Sequence, residues 1–268
     1  MVAKVRRLLG VERVGHGGTL DPIATGVLPI CLGPATKLAQ YLLADDKAYE
    51  ADAVLGVETD TLDRTGVVVA EHPVAVTREA VLAALVARTG EQDQVPPMYS
   101  AIKQGGVPLY ARARAGETVE RAPRRIRIDR FELLAFEPPR LQLAIACSKG
   151  TYIRSLVADL GRDLGCGAHL GELRRTRSGR FTLADAVPLD QLLPEVASAR
   201  LIRPSAALAL PVVRIPDELV PKIVSGLQLA VEILGTTEPH FQIVDPAGEL
   251  RAVAHVEAGR VVYERVWA

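Results

Sequence analysis

Alternating and helix-spaced apolar positions resolve the chain into short strands and a few amphipathic helices. Residues 47–55 (KAYEADAVL) alternate and predict a strand. Residues 125–136 and 140–148 also alternate, and Pro138-Pro139 between them predicts a hairpin. Residues 169–177 read as a further strand. Helical spacing governs residues 77–88, where Val81, Leu82 and Leu85 share a face and Thr77 stands at the N-cap. Residues 152–164 read as a helix ended by Gly165, and residues 35–43 as a helix start, with Leu38, Tyr41 and Leu42 on one side.

After Val187 the texture changes. Pro194, Pro204, Pro211, Pro216 and Pro221 punctuate the chain, and strand-like runs follow at 228–234, 241–245, 250–256 and 261–266. Turn residues separate the last three runs at 246–249 and 258–259. This pattern predicts a small, mostly β module of about 55–65 residues. No internal repeat or low-complexity run occurs.

Composition narrows the function classes. Of 268 residues, 49% are hydrophobic, enough for a real core, and only 4% are aromatic, so that core is built of Leu, Val, Ile and Ala. Cys31, Cys147 and Cys166 lie far apart with no CxxC or Cys/His spacing, which argues against zinc and against a disulfide framework. No apolar run of about 18 residues and no signal-peptide core is present, so a cytoplasmic protein without membrane attachment is expected.

The formal net charge of +0 argues weakly against a nucleic-acid partner, but its distribution is uneven. Residues 38–100 are acidic. Two later stretches are basic: Arg112, Arg114, Arg121, Arg124, Arg125, Arg127 and Arg130, then Lys149, Arg154, Arg174, Arg175, Arg177 and Arg180. Such a run is either a solvated face or a phosphate-contacting one.

The candidate chemistry lies in residues 14–41 (VGHGGTLDPIATGVLPICLGPATKLAQY). Asp21 stands between a Gly-rich turn, with Gly17 and Gly18, and Pro22, which fixes φ and lacks a donor. His16 is five residues away. An Asp-Pro step is also an ordinary turn initiator, and a His beside glycines is often only a loop residue. The residues alone leave both readings open.

This segment closely resembles motif II of the pseudouridine synthases, specifically the tRNA pseudouridine-55 synthase (TruB) family. The pattern G-H-x-G-x-L-D-P-x-A-x-G-x-L-P-x-x-x-G-x-A-T-K is met by Gly15, His16, Gly18, Leu20, Asp21, Pro22, Ala24, Gly26, Leu28, Pro29, Gly33, Ala35, Thr36 and Lys37. So many positions at fixed spacing make a specific signal. The likeness is strong over residues 10–187 and weak beyond.

The resemblance implies an α+β pseudouridine-synthase fold: a mixed, mostly antiparallel sheet flanked by helices, plus a small C-terminal β-rich PUA-like domain. Residues 1–205 would form the catalytic domain and 206–268 the RNA-binding PUA-like domain. The implied activity is isomerisation of uridine to pseudouridine at position 55 in the T-arm of tRNA, after the base is flipped from its stack. No cofactor and no metal is implied. The partner is tRNA alone, bound by a monomer, with no guide RNA, protein partner or membrane required.

The resemblance also assigns site residues. Asp21 would be the catalytic carboxylate. Tyr49 would stack on the flipped uracil, and Arg154, in 147–154 (CSKGTYIR), would pair with Asp21 and orient it. Tyr152 would line the pocket, Leu173 would wall it, and His16 would fill the gap the base leaves. Residues 95–103 (VPPMYSAIK) match a further segment expected to shape the pocket and adjoining RNA surface. The family usually carries a strand and a Lys-Pro-x-Gly motif ahead of this region; this sequence begins Met1-Val2-Ala3-Lys4 without it, so either its start is set too late or the element is truly lacking. The alternative expectation is therefore a catalytically impaired tRNA-binding and folding factor.

Overall fold

The computed structural model describes residues 1–268, which divide into two compact units. One unit comprises residues 19–28 and 44–186; the other comprises 1–18, 29–43 and 187–268. Elements are numbered along the chain. No helix is long and apolar enough to cross a membrane.

The unit of residues 19–28 and 44–186 is built on a seven-stranded sheet. Its strands are β2 (Ala24–Gly26), β4 (Lys47–Leu55), β7 (Gly90–Gln94), β10 (Arg124–Glu137), β11 (Arg140–Cys147), β12 (Ala168–Ser178) and β13 (Phe181–Thr182). The order is β13-β12-β4-β11-β10-β7, with β2 added to β12. Every pairing is antiparallel except β2 with β12. Two small hairpins accompany it: β5 (Val57–Thr59) with β6 (Val68–Glu71), and β8 (Lys103–Gln104) with β9 (Val107–Pro108).

The strands form because alternation gives them one apolar face. Leu141, Leu143, Ile145 and Cys147 of β11 are buried beside Ala51, Ala53 and Leu55 of β4. Three helices belong to this unit: α3 (Arg78–Ala87), α4 (Leu109–Arg114) and α5 (Ile153–Asp163). The Thr77 hydroxyl accepts from Ala80 N and starts α3, which buries Val81 and Leu85. Helix α5 buries Ile153, Leu156, Val157 and Leu160 in the same core. Gly161 lets α5 approach β12, since a Cβ there would lie 2.3 Å from Ala168 N.

The other unit holds α1 (Val2–Leu9), β1 (Val14–His16) paired antiparallel with β3 (Ile30–Leu32), and α2 (Ala39–Ala44). It continues through α6 (Pro194–Arg200), α7 (Pro204–Ala207), α8 (Val220–Val224) and α9 (Val231–Leu234). Its four-stranded sheet has the order β14 (Val212–Arg214), β15 (His240–Val244), β16 (Leu250–Glu257) and β17 (Arg260–Val266). Phe241, Ile243, Ala252, Ala254 and Val261 form a core of its own with Ile223. The segment expected as a separate module, 206–268, carries this sheet and core; its unit also takes in residues 1–18, 29–43 and 187–205.

Two sequence expectations are corrected. Residues 228–234, read as a strand, contain instead the one-turn helix α9, stopped by Gly235 in the left-handed conformation (φ 60°). A short apolar run has no length to separate strand from helix, and here only Ala230 makes a sheet-like bridge, to Arg260. The helix expected from residue 35 is a 3₁₀ helix over Gly33–Leu38, with Pro34 at its start, before α2 begins at Ala39.

Candidate active site

Asp21 occupies the first position of a tight turn. Ala24 N donates to Asp21 O at 2.9 Å, with Pro22 at the position where its fixed φ suits the turn. The chain then enters β2, which runs parallel to β12 with Ala24 opposite Leu173 and Gly26 opposite Arg175. Gly26 has φ 95°, and a Cβ there would lie 2.2 Å from Arg175 O. Val27 N donates to that same carbonyl at 2.8 Å. The loop is therefore welded to β12 immediately after the carboxylate.

Arg154 meets Asp21 from the first turn of α5. Its Nε donates to Oδ2 at 2.8 Å and its Nη2 to Oδ1 at 2.9 Å, a bidentate pair. The remaining donors reach backbone oxygens: Nη1 to Thr61 O at 3.0 Å and Nη2 to Tyr99 O at 2.8 Å. The Arg154 side chain is 4% exposed and that of Asp21 28%. The guanidinium is thus fixed on all sides, while the carboxylate keeps an open face.

Asp63 completes the charge arrangement, with Oδ2 3.8 Å from Arg154 Nε. Its other oxygen accepts from Thr65 N at 2.9 Å, from Thr65 Oγ1 at 2.6 Å and from Thr61 Oγ1 at 2.9 Å. The hairpin-turn residues Thr61 and Thr65 thereby hold a buried acid behind the arginine.

Tyr152 is the N-cap residue of α5. Gln94, at the end of β7, grips its backbone from both sides: Tyr152 N donates to Gln94 Oε1 at 2.8 Å, and Gln94 Nε2 donates to Tyr152 O at 3.0 Å. Gln94 is 3% exposed. The grip fixes where α5 begins, and so where Arg154 stands two residues later. Burial pushes the Tyr152 phenol up.

Tyr49 lies in β4 opposite Ile145 on one side and Arg175 on the other. Burial pushes its phenol up to about 12, against a smaller opposing effect of the Arg175 charge. Asp21 acts electrostatically on both Tyr49 and Tyr152. Leu173 is buried in β12 between Ala24 and Ala51. Asp21, Tyr49, Tyr152, Arg154 and Leu173 all fall within the unit of residues 19–28 and 44–186. His16 falls in the other unit, at the end of β1, where its Nδ1 accepts from Gly18 N at 3.3 Å.

The basic stretches are not uniformly available for phosphates. Arg154 and Arg175 are buried. On β10, Arg125 pairs with Glu91 at 2.9 Å, Arg127 with Asp129 at 2.6 Å, and Arg130 with Glu132. Lys149 and Arg174 stand exposed.

Sequence reasoning missed Asp63, Gln94 and the enclosed position of Arg175. Only Asp63 left a signal, as an Asp with Thr two residues before and after it, the pattern of a side chain that caps its own turn. Chemically, the site offers a partly exposed carboxylate held in one orientation by a buried guanidinium, in one unit with a neutral phenol and an aliphatic side chain.

Comparison with known proteins agrees with this architecture. The family model described as TruB family pseudouridylate synthase (N terminal domain) matches residues 6–153, and that for the tRNA pseudouridylate synthase B C-terminal domain matches 154–209. The tRNA pseudouridine synthase B of Stutzerimonas stutzeri (strain A1501) is 60% identical over 189 residues, 70% of this chain and 62% of that protein. That of Aromatoleum aromaticum (strain DSM 19018 / LMG 30748 / EbN1) is 55% identical over 205 residues, 76% of this chain and 67% of that protein. The chain thus spans 62% of the length of the first of these relatives. Among solved structures, a chain of a Cbf5-Nop10-Gar1 complex superposes with a TM-score of 0.78 at 28% identity, covering 99% of this chain and 79% of that one. A chain of an H/ACA RNP bound to a substrate RNA containing 2'-deoxyuridine superposes with a TM-score of 0.74 at 26% identity, covering 100% of this chain and 80% of that one. The α+β fold with its mostly antiparallel sheet is that of the pseudouridine synthases. With 6–153 of its 268 residues matched by the family model, the chain belongs to the TruB family of pseudouridylate synthases.

Proposed function

We propose that this chain isomerises uridine to pseudouridine at position 55 in the T-arm of tRNA. The observation that carries the proposal is the Asp21 carboxylate, open on one face and held through both oxygens by the enclosed Arg154. A carboxylate in this setting suits covalent or electrostatic work at a sugar or base. The reaction breaks the N1–C1′ bond of uridine, turns the uracil and forms a C5–C1′ bond. The C5 proton leaves and N1 gains one, so atoms and charge balance with no oxidant or reductant.

In this reading Asp21 attacks, Arg154 orients it, and Tyr49 stacks on the extruded uracil as a neutral ring. Tyr152 and Leu173 line the pocket. His16 stacks in the space the base vacates. The base must leave the RNA stack to react, and its extrusion costs a few kcal/mol, about the worth of one or two stacking contacts. Residues 206–268 serve as a PUA-like RNA-binding module beside a catalytic domain of residues 1–205. The chain acts as a monomer in the cytoplasm, without guide RNA or protein partner.

The test is tritium release from a bare T-arm stem-loop labelled with [5-³H]uridine, with nothing added but the protein. Release supports the reading. RNA bound with no release at high enzyme concentration makes the chain a tRNA-binding and folding factor instead. Release only when other components are added moves it to a guided mode of action. Binding must weaken as salt rises, because phosphate contacts release counterions.

A further inference from the structure

Arg175 belongs to a run that composition presents as phosphate contacts, yet it is 1% exposed and heads the fully buried side chains by volume. It stands in β12, two residues beyond Leu173, opposite Gly26 of β2 and Tyr49 of β4. Its guanidinium donates from Nε to Val27 O at 2.7 Å and from Nη1 to Thr19 O at 3.3 Å. Those two carbonyls sit on either side of Asp21, near the two ends of the 19–28 segment. Its own carbonyl accepts from Val27 N at 2.8 Å. Its charge also acts on the Tyr49 phenol across the β12–β4 pairing, opposing the effect of burial there.

The segment 19–28 needs such a tie. Its backbone is otherwise held by the Asp21–Ala24 turn, the three-residue β2 pairing and the Val27 N–Arg175 O bond, and its side chains by the Arg154–Asp21 pair and a Thr25 Oγ1 bond to Leu173 O. A planar guanidinium can bond two carbonyls at once, which a lysine ammonium on its narrower point of attachment does poorly.

We propose that Arg175 is a positioning residue, a clamp that closes the Asp21 loop at both ends and sets Asp21 against Tyr49 without touching the substrate. The proposal rests on the reading of Asp21 as the catalytic carboxylate.

The test compares the wild type with Arg175→Gln and Arg175→Lys. Amide hydrogen exchange is followed across residues 19–28, with α5 and the β10–β11 hairpin as internal standards. Single-turnover tritium release and affinity for the T-arm stem-loop are measured on the same preparations. The clamp predicts at least tenfold faster exchange at Ala24 and Val27, with the standards unchanged. It predicts at least tenfold slower turnover at unchanged RNA affinity, and a loss that is not additive with Tyr49→Phe. Arg175→Lys keeps the charge and most of the volume, so it is measured even if Arg175→Gln does not fold. Unchanged loop exchange in a folded variant overturns the proposal, as does acceleration spread evenly over loop and standards. If the wild type itself releases no tritium, the catalytic reading fails, while the exchange data still decide whether Arg175 clamps the loop.

Discussion

Arg154 and Asp21, 133 residues apart in sequence, form a two-point ion pair of 2.8 and 2.9 Å. Asp63 stands behind the same guanidinium at 3.8 Å. Removing the guanidinium leaves two carboxylates without their shared cation, and one of them, Asp63, is buried. Arg154→Ala should therefore cost about 3–5 kcal/mol of stability, the range for breaking a buried pair. Arg154→Lys should keep the fold better but release one Asp21 oxygen, lowering single-turnover rate by about a hundredfold through misplacement. Urea unfolding and tritium release measure the two effects; a loss of stability below about 1 kcal/mol in Arg154→Ala contradicts this reading of the pair.

Gln94 acts at one remove from the site. Gln94→Leu strands the Tyr152 N–H and weakens the bonding of its carbonyl, which also accepts from Leu156 N. The expected cost is about 1–3 kcal/mol. Gln94→Glu keeps the acceptor for Tyr152 N but sets a buried carboxylate oxygen against the Tyr152 carbonyl, so at neutral pH its loss should be at least as large, and it should recover as the carboxyl protonates and can donate again. A loss below about 0.5 kcal/mol in Gln94→Leu, read from denaturant midpoints, would remove the argument for a two-sided grip.

Glycine at 26 is required by both space and conformation. Gly26→Ala drives a Cβ to 2.2 Å from the Arg175 carbonyl at φ 95°, in the pairing that anchors the Asp21 loop. The expected loss exceeds about 2 kcal/mol, with activity falling alongside it. Gly165→Ala is the control: its φ is 74°, but nothing lies within 4 Å of the added methyl. There the cost should be only the conformational one, about 1–2 kcal/mol. Thermal melts of the two variants rank them directly.

Alkaline pH should loosen the fold of residues 44–186 before it unfolds anything by charge repulsion. Burial pushes Tyr49 from 10.0 to about 12 and Cys147 from 9.0 to about 12. Both groups are neutral in the folded chain and ionise earlier in the unfolded one. Their contribution is fully present below pH 9 and is lost as pH climbs from about 9 towards 12. Urea midpoints should be flat for these groups at pH 7–8.5 and fall beyond. Tyr49→Phe combined with Cys147→Ala should flatten the fall, and an unaltered slope in that double variant would rule these groups out.

How much of this was legible in the sequence follows from where the partners lie. β4, β10, β11 and α3 show in the pattern because each buries one face, α5 because its run is closed by Gly165, and Thr77 caps α3 within three residues of itself. β7 (GEQDQ) carries no apolar alternation; its pairing with β10 makes it a strand. The helix α1 (VAKVRRLL) carries Val2, Val5 and Leu9 at helical spacing and went unread all the same; it is two turns long and buries only Val5. Asp21 and Arg154 stood out only through the family pattern, since a turn Asp and a helix Arg have ordinary local roles. Gln94 and Arg175 were invisible as site residues because both bond to backbone groups, which leave no trace in residue type. Arg175 was further disguised among Arg174, Arg177 and Arg180.

The central claim is that Asp21 carries the chemistry. It is tested most directly by tritium release from the [5-³H]uridine T-arm stem-loop, wild type against Asp21→Asn, with RNA affinity measured in parallel. The account predicts release by the wild type and none by Asp21→Asn, at equal affinity for the RNA. Turnover retained by Asp21→Asn would contradict it.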